Sequence, residues 1–318
     1  MQAETIPANK AFQRFWNEDL SPWLKDFFGN EDDLEASIND DGSCRIDSLS
    51  NGYRQVGTMN ATEADLLARK IASLTGFAIS NKNPILNTEV EDLKCRISIV
   101  CPPCAVASTI SIRKRASRLI TLNEYVESGN LTQEQLSIIQ DWILLRKNIL
   151  VVGGTSSGKT TFINGLSAEI SKLTPDHRIV ILEDTVELQR FAENIIQLRS
   201  VEQVSLQELV KTSLRHRPDR IIVGEVRGKE AFDLLTAWST GHPGGIASLH
   251  ANSAEGAFTR LEQLLEIAVN NPMQGLIGEA VDAIIFMAKT PTGSRKIQTL
   301  LEVERFDRQK HEYITQTR

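Results

Sequence analysis

Gly153-Gly154-Thr155-Ser156-Ser157-Gly158-Lys159-Thr160 satisfies the spacing G-x-x-x-x-G-K-[ST], followed by Thr161. Each residue type in the run suits the holding of phosphate oxyanions. The glycines let the backbone close round an anion with its N–H groups turned inward. A helix opening at Thr160 adds its N-terminal dipole. Lys159 is a point charge for β- and γ-phosphates, and the Thr160 hydroxyl is a ligand for Mg²⁺. Residues 153–161 are therefore the expected nucleotide-binding loop.

Hydrolysis needs more than binding; it needs an acid that orients or deprotonates water. Two candidates end predicted strands, at the edge where open parallel sheets carry their sites. One is Glu183, in Arg178-Ile-Val-Ile-Leu-Glu183-Asp184. The other is Glu225, in Arg220-Ile-Ile-Val-Gly-Glu225-Val-Arg227. Ile221–Val223 reads as a Walker B strand, with Glu where many P-loop proteins place Asp. Glu187 reads equally well as a surface residue. His250 ends a further strand beside the presumed site, where an imidazole could sense a γ-phosphate. His242, between Gly241 and Pro243, fits a purely conformational role.

The elements that must position these residues are visible in the pattern. From 148 to 318 the apolar runs NILVV, RIVIL, RIIVG and GIASL alternate with helical stretches. That predicts an α/β fold, a C-terminal P-loop core whose parallel-type sheet is flanked by helices. Residues 116–147 read as a helical connector, with capping boxes at Thr121–Glu124 and Thr132–Gln135 and a break at Gly129-Asn130. Residues 1–115 read as a smaller N-terminal α+β domain. CRIDSL, YRQVG, CRISIV and STISIR are its predicted strands and Ala61–Leu74 its amphipathic helix. Residues 1–41 form a helical, acidic lead-in, with Phe12, Phe15, Trp16, Leu20, Trp23, Leu24, Phe27 and Phe28 at near-helical spacing and a break at Pro22.

Composition narrows the class. Of 318 residues, 41% are hydrophobic and 24% charged, which excludes a disordered chain. A net charge of −6 counts against nucleic-acid binding through bulk charge. Four cysteines are too few for a disulfide scaffold of this size. No apolar run approaches the roughly 20 residues of a membrane span, and the start has neither a basic n-region nor an apolar h-region, so a cytoplasmic location is expected. Cys101-Pro-Pro-Cys104 has redox spacing without a helix to open, and no second pair supplies zinc ligands, so it reads as chance.

In order along the chain, GGTSSGKTT, ILEDTVELQ, RPDRIIVGEVRG and GHPGGIASLHANS resemble the secretion traffic ATPases, and most closely the TrbB-like ATPases of conjugative type IV secretion. The likeness runs from about residue 42 to 305 and is densest over 148–270. It implies a RecA-like core, ATP and Mg²⁺ as ligands, and a homohexameric ring on the inner face of the bacterial inner membrane. Inner-membrane secretion components are the implied partners, and nucleotide would bind between the N- and C-terminal domains. It casts Glu183 as general base or water-orienting acid, Glu225 as acting on Mg²⁺ and its waters, and His250 as lining the phosphate end. Arg96 in KCRISIVCPP and Arg113 in TISIRKR match arginines that reach the phosphates. The absent tetracysteine cluster separates the chain from many type II secretion and pilus-extension motors, the nearest alternative. A non-catalytic, nucleotide-gated scaffold and a DNA-translocating helicase are further alternatives. Arg215, Arg217, Arg220 and Arg227 leave contact with nucleic acid open.

Overall fold

The computed structural model describes residues 15, 20–48, 50–90, 93–115, 118–290 and 294–318. Phe12 and Trp16 of the expected aromatic helix lie outside them. The chain divides into two compact units, Met1–Arg118 and Leu119–Arg318.

The first unit is built on an antiparallel sheet of β1 (Asp33–Ile38), β2 (Ser43–Ser48), β3 (Gly52–Thr58), β4 (Ile85–Val90), β5 (Cys95–Val100) and β6 (Thr109–Lys114), in the order β3-β2-β1-β6-β5-β4. Period-two alternation puts Ala36, Ile38, Ile97, Ile99, Ile110 and Ile112 on one face. There they bury against Ala64, Ala68 and Ile71 of the helix Ala61–Leu74. Asn60 and Glu63 start that helix with a reciprocal capping box. Asp33–Ile38, inside the lead-in expected to be helical, is a strand. Its alternation was masked by Asp33, which is buried because Ser48 and Arg54 hydrogen-bond its carboxylate. The helix Pro22–Gly29 precedes it, with Pro22 in the first turn. Lys114 Nζ donates to the Phe27 carbonyl at 2.7 Å and lies 4.7 Å above the Phe27 ring.

The second unit centres on an eight-stranded sheet. Its strands are β7 (Ile149–Gly153), β8 (Ile179–Glu183), β9 (Ile195–Arg199), β10 (Arg220–Val223), β11 (Ile246–Leu249), β12 (Ala283–Lys289), β13 (Arg295–Asp307) and β14 (Glu312–Thr317). The order is β14-β13-β12-β7-β11-β10-β8-β9, parallel from β12 to β9 and antiparallel where β13 and β14 extend it. Val151 and Ile149 face one apolar layer and Leu150 and Val152 the other, so β7 is buried on both sides. Residues 119–147, within the stretch read as a connector, are part of this unit. Leu122, Tyr125, Ile139 and Trp142 bury against Phe162, Leu166 and Ile170 of the helix Lys159–Leu173. Each such side chain is worth about 1.5–3 kcal/mol of burial, which fixes the helix that begins at Lys159.

One feature of the order governs the site: β11 lies between β7 and β10. The residues following β7, β11, β10 and β8 therefore emerge side by side at the C-terminal edge of the sheet.

Candidate active site

The phosphate loop leaves β7 at Gly153 and enters the helix at Lys159. Gly158 takes φ +91°, a left-handed conformation that favours glycine, and stands at the helix N-cap. Lys159, only 7% exposed, donates from Nζ to the carbonyls of Gly153 and Gly154, each at 2.9 Å, and lies 3.4 Å from His250 Nδ1. Ser157 is 2% exposed, and its Oγ has no hydrogen-bond partner among the described residues. A buried hydroxyl left without a partner in a glycine-edged loop suits a phosphate oxygen as its acceptor.

His250 follows β11 and faces both neighbours. Its Nε2 is 3.0 Å from Glu225 Oε1, and Arg227 Nη2 donates to Glu225 Oε2. Lys159 can only donate and a carboxylate can only accept, so the imidazole satisfies both as the neutral Nε2–H tautomer. The electrostatics agree. Burial lowers the His250 pKa, Lys159 lowers it further, and Glu225 only partly opposes them. Burial would raise Glu225, but the Arg227 hydrogen bond and the charges of Arg227, His250 and Lys159 outweigh it and hold the carboxyl below its ordinary value. Glu225 is thus an ionised carboxylate and His250 a neutral bridge from it to Lys159.

Glu183, the acid that ends β8, is enclosed by hydrogen-bond donors. Glu183 is 2% exposed, and N–H donors occupy both its oxygens. Oε1 accepts from the amides of Glu187 at 2.9 Å and Leu188 at 2.8 Å, and Oε2 accepts from Gln197 Nε2 at 2.8 Å. Burial pushes its pKa up, against those three hydrogen bonds. Its contacts are those of a carboxylate that folds the loop behind it. Asn164 Oδ1, on the P-loop helix, accepts from the Gln189 amide at 2.8 Å and ties down the loop's other end. The loop so held presents Glu187, whose Oε2 accepts from Thr160 Oγ1 at 3.2 Å. Glu187, which reads from sequence equally well as a surface residue, is the acid that reaches the Thr160 hydroxyl. Its spacing, four residues beyond a strand-ending Glu, was the available signal.

Thr160, Glu187 and Glu225 are hard oxygen donors of the kind Mg²⁺ takes. Among the described residues no group of three His, Cys, Asp or Glu could hold a metal by itself.

The remaining expected residues are placed as follows. Arg96 on β5 and Arg113 on β6 belong to the first unit, directly opposite each other in the ladder. Arg96 lies beside Glu89, with Nε 3.4 Å from Oε1, and Arg113 stands opposite Glu35. Arg220 cannot line a basic surface, because it is 1% exposed. It donates to the carbonyls of Gly244 at 3.0 Å and Ile143 at 2.7 Å and to His177 Nδ1 at 3.0 Å. Arg215 and Arg217 are exposed. His242 donates its backbone N–H to Ala237 O at 3.1 Å in a turn that uses the positive φ of Gly241 and Gly244. Cys101 is buried with Ser108 Oγ 3.2 Å from its sulfur, Cys104 is exposed, and both are free thiols.

Comparison with known proteins follows this geometry. A family model described as Type II/IV secretion system protein matches residues 80–304. A probable conjugal transfer protein TrbB of Sinorhizobium fredii is 41% identical over 279 residues, 88% of this chain and 86% of its own length. The type IV secretion system protein VirB11 of Bartonella henselae is 30% identical over 317 residues, 84% of this chain and 86% of its own. Among solved structures, the ATPase DotB of Yersinia pseudotuberculosis superposes with a TM-score of 0.67 at 17% identity, covering 97% of this chain and 83% of that one, a likeness of fold.

Proposed function

The chain belongs to the Type II/IV secretion system protein family, among its TrbB-like conjugal transfer members, and from that premise we propose that it is a Mg²⁺-dependent ATPase powering conjugative type IV secretion. The observation that carries the enzymatic part is the convergence at one sheet edge of Lys159, His250 and Glu225 with the Thr160–Glu187 pair.

In this reading the core is RecA-like, and the loop 153–158 receives the phosphates of ATP. Lys159 turns from its two loop carbonyls to the β- and γ-phosphates, keeping its cation inside the site. Thr160 Oγ would be a ligand for Mg²⁺, which would supply neutralisation of phosphate charge. Glu187 orients the attacking water and takes its proton, a role first expected of Glu183. Glu183 instead positions Glu187 through the backbone. Glu225 holds water on the metal side, and His250 links that carboxylate to Lys159, so a change at the phosphates is felt at both. Water attacks the γ-phosphorus in line, ADP leaves, and catalysis rests on positioning and charge. By resemblance, Arg96 and Arg113 are the arginines that would meet phosphate charge.

The working form is a homohexameric ring, peripheral to the inner membrane on its cytoplasmic side and docked on inner-membrane secretion components. No helix among the described residues is long and apolar enough to cross a membrane. The deciding experiment is steady-state ATP hydrolysis by wild type and Lys159→Gln, with folding followed by circular dichroism. Folded Lys159→Gln protein that hydrolyses at the wild-type rate would sink the assignment.

A further inference from the structure

Two glycines of the phosphate loop lie against one neighbouring hairpin. A Cβ on Gly153 would lie 2.3 Å from the Met287 carbonyl oxygen on β12, and one on Gly158 would lie 2.9 Å from Cδ of Arg295, the first residue of β13. Arg295 stands opposite Lys289 in the β12–β13 ladder, and Thr290 N–H donates to Ser294 O at 2.7 Å to close the turn. The Arg295 stem runs along Gly158, with Cβ and Cγ 3.5 and 3.6 Å from that same position. Its Nε–H donates to the Ser156 carbonyl at 3.1 Å.

That carbonyl is a sensitive point of the loop. Ser156 has φ +58°, a left-handed conformation disfavoured for a residue with a Cβ, so neighbours must hold it. The Ser156–Ser157 peptide is planar, so fixing the Ser156 oxygen on one side fixes the Ser157 N–H on the other. The Ser157 N–H reaches Gly154 O only at 3.4 Å, and the Ser157 hydroxyl has no partner among the described residues. Both are donors a phosphate would engage.

We propose that Arg295 is a positioning residue for nucleotide binding: through its Nε–H it holds the Ser156–Ser157 peptide in the orientation that presents Ser157 to phosphate. The assignment rests on the nucleotide-site reading above and adds to it a residue far from the P-loop motif in sequence. The guanidinium acts here as a hydrogen-bond donor whose stem is packed along Gly158.

Three variants of the full chain separate these roles. Arg295→Met keeps the stem on Gly158 and loses the donor. Arg295→Lys keeps the cation without a donor at the ε position. Arg295→Gln places an N–H donor the same number of bonds from Cα without the charge. The readouts are KM for ATP, kcat, and the Kd of ADP by calorimetry, beside melting temperature. Met and Lys should raise KM and the ADP Kd about tenfold, the worth of one charge-assisted hydrogen bond, with kcat within about twofold of wild type. Gln should restore most of the loss. A wild-type KM in Arg295→Met overturns the assignment, as does rescue by Lys but not Gln. A merely structural role would lower the melting temperature without moving KM. Wild-type protein that binds no ADP overturns the nucleotide site itself, a result distinct from either.

Discussion

His250 Nε2 lies 3.0 Å from Glu225 Oε1 and its Nδ1 3.4 Å from Lys159 Nζ, so one imidazole joins the carboxylate that follows β10 to the lysine of the phosphate loop. This link exists because β11 is inserted between β7 and β10, so the residue ending β11 has one site group on each side.

That placement carries a pH dependence. The groups acting on His250 are Lys159, Arg227 and Arg260, which disfavour its charged form together with burial, and Glu225, which favours it. Its folded pKa therefore lies below the ordinary 6.5. Below that value the unfolded chain binds more protons than the folded one, so stability falls as pH drops through the depressed pKa. His177, lowered by burial and by Arg220, adds a slope of the same sign. His250→Gln should remove one of the two contributions. Melting temperatures of wild type and variant between pH 7.5 and 5.5 test this, and an equal decline in both would refute it.

Glu183 and Glu187 should separate in kind. Glu187→Gln leaves the loop intact and should lower kcat by about 10²–10⁴-fold with the melting temperature little changed. Glu183→Gln puts an amide donor where three N–H groups require acceptors. It should destabilise by about 1–3 kcal/mol and lower activity only as far as the loop loosens. Denaturant unfolding and steady-state kinetics on the pair decide the matter. A stable, inactive Glu183→Gln beside an active Glu187→Gln would return the base to Glu183.

Sequence made the P-loop, the strands β7, β8, β10 and β11, and His250 legible, because each is a local pattern: an apolar run ended by a polar residue. What it hid depends on contacts remote in the chain. Glu187 is aimed by hydrogen bonds from its loop to Glu183 and to Asn164 on another helix. Arg295 reaches Ser156 across 139 residues. β4 was obscured because Thr88 and Glu89 are buried in it, Glu89 between Arg96 and Arg115. Arg220 looked like a surface cation because burial of an arginine without a carboxylate leaves no mark in the sequence.

Arg220 supplies a stability test. Its guanidinium ties the last turn of the helix Gln133–Leu144 to the turn that starts β11, through the Ile143 and Gly244 carbonyls. Burial lowers its pKa to about 10, so it is charged at neutral pH. Arg220→Met fills the space but leaves two carbonyls and His177 Nδ1 without their donor. It should cost about 2–4 kcal/mol, read as a lower denaturation midpoint. A midpoint equal to wild type would show that water replaces the three bonds.

Arg113 offers the sharpest separation of function from stability. It stands directly opposite Arg96 in the β5–β6 ladder, and like charges facing each other across strands destabilise a sheet. Glu89 lies beside Arg96, whereas exposed Arg113 has Glu35 opposite it, already accepting from Ser111 Oγ at 3.0 Å. Among the described residues of the first unit no hydrogen bond or ion pair holds Arg113, so its guanidinium is open to an anion. Arg113→Ala should therefore leave the melting temperature unchanged or slightly raised, within about 0.5 kcal/mol. Turnover should fall by about 10³-fold or more if the residue meets phosphoryl charge. Both are measured on the full chain, together with light-scattering mass to show that the assembly persists. A variant that melts lower yet hydrolyses ATP at the wild-type rate would make Arg113 a structural residue and remove the first unit's arginine from the site.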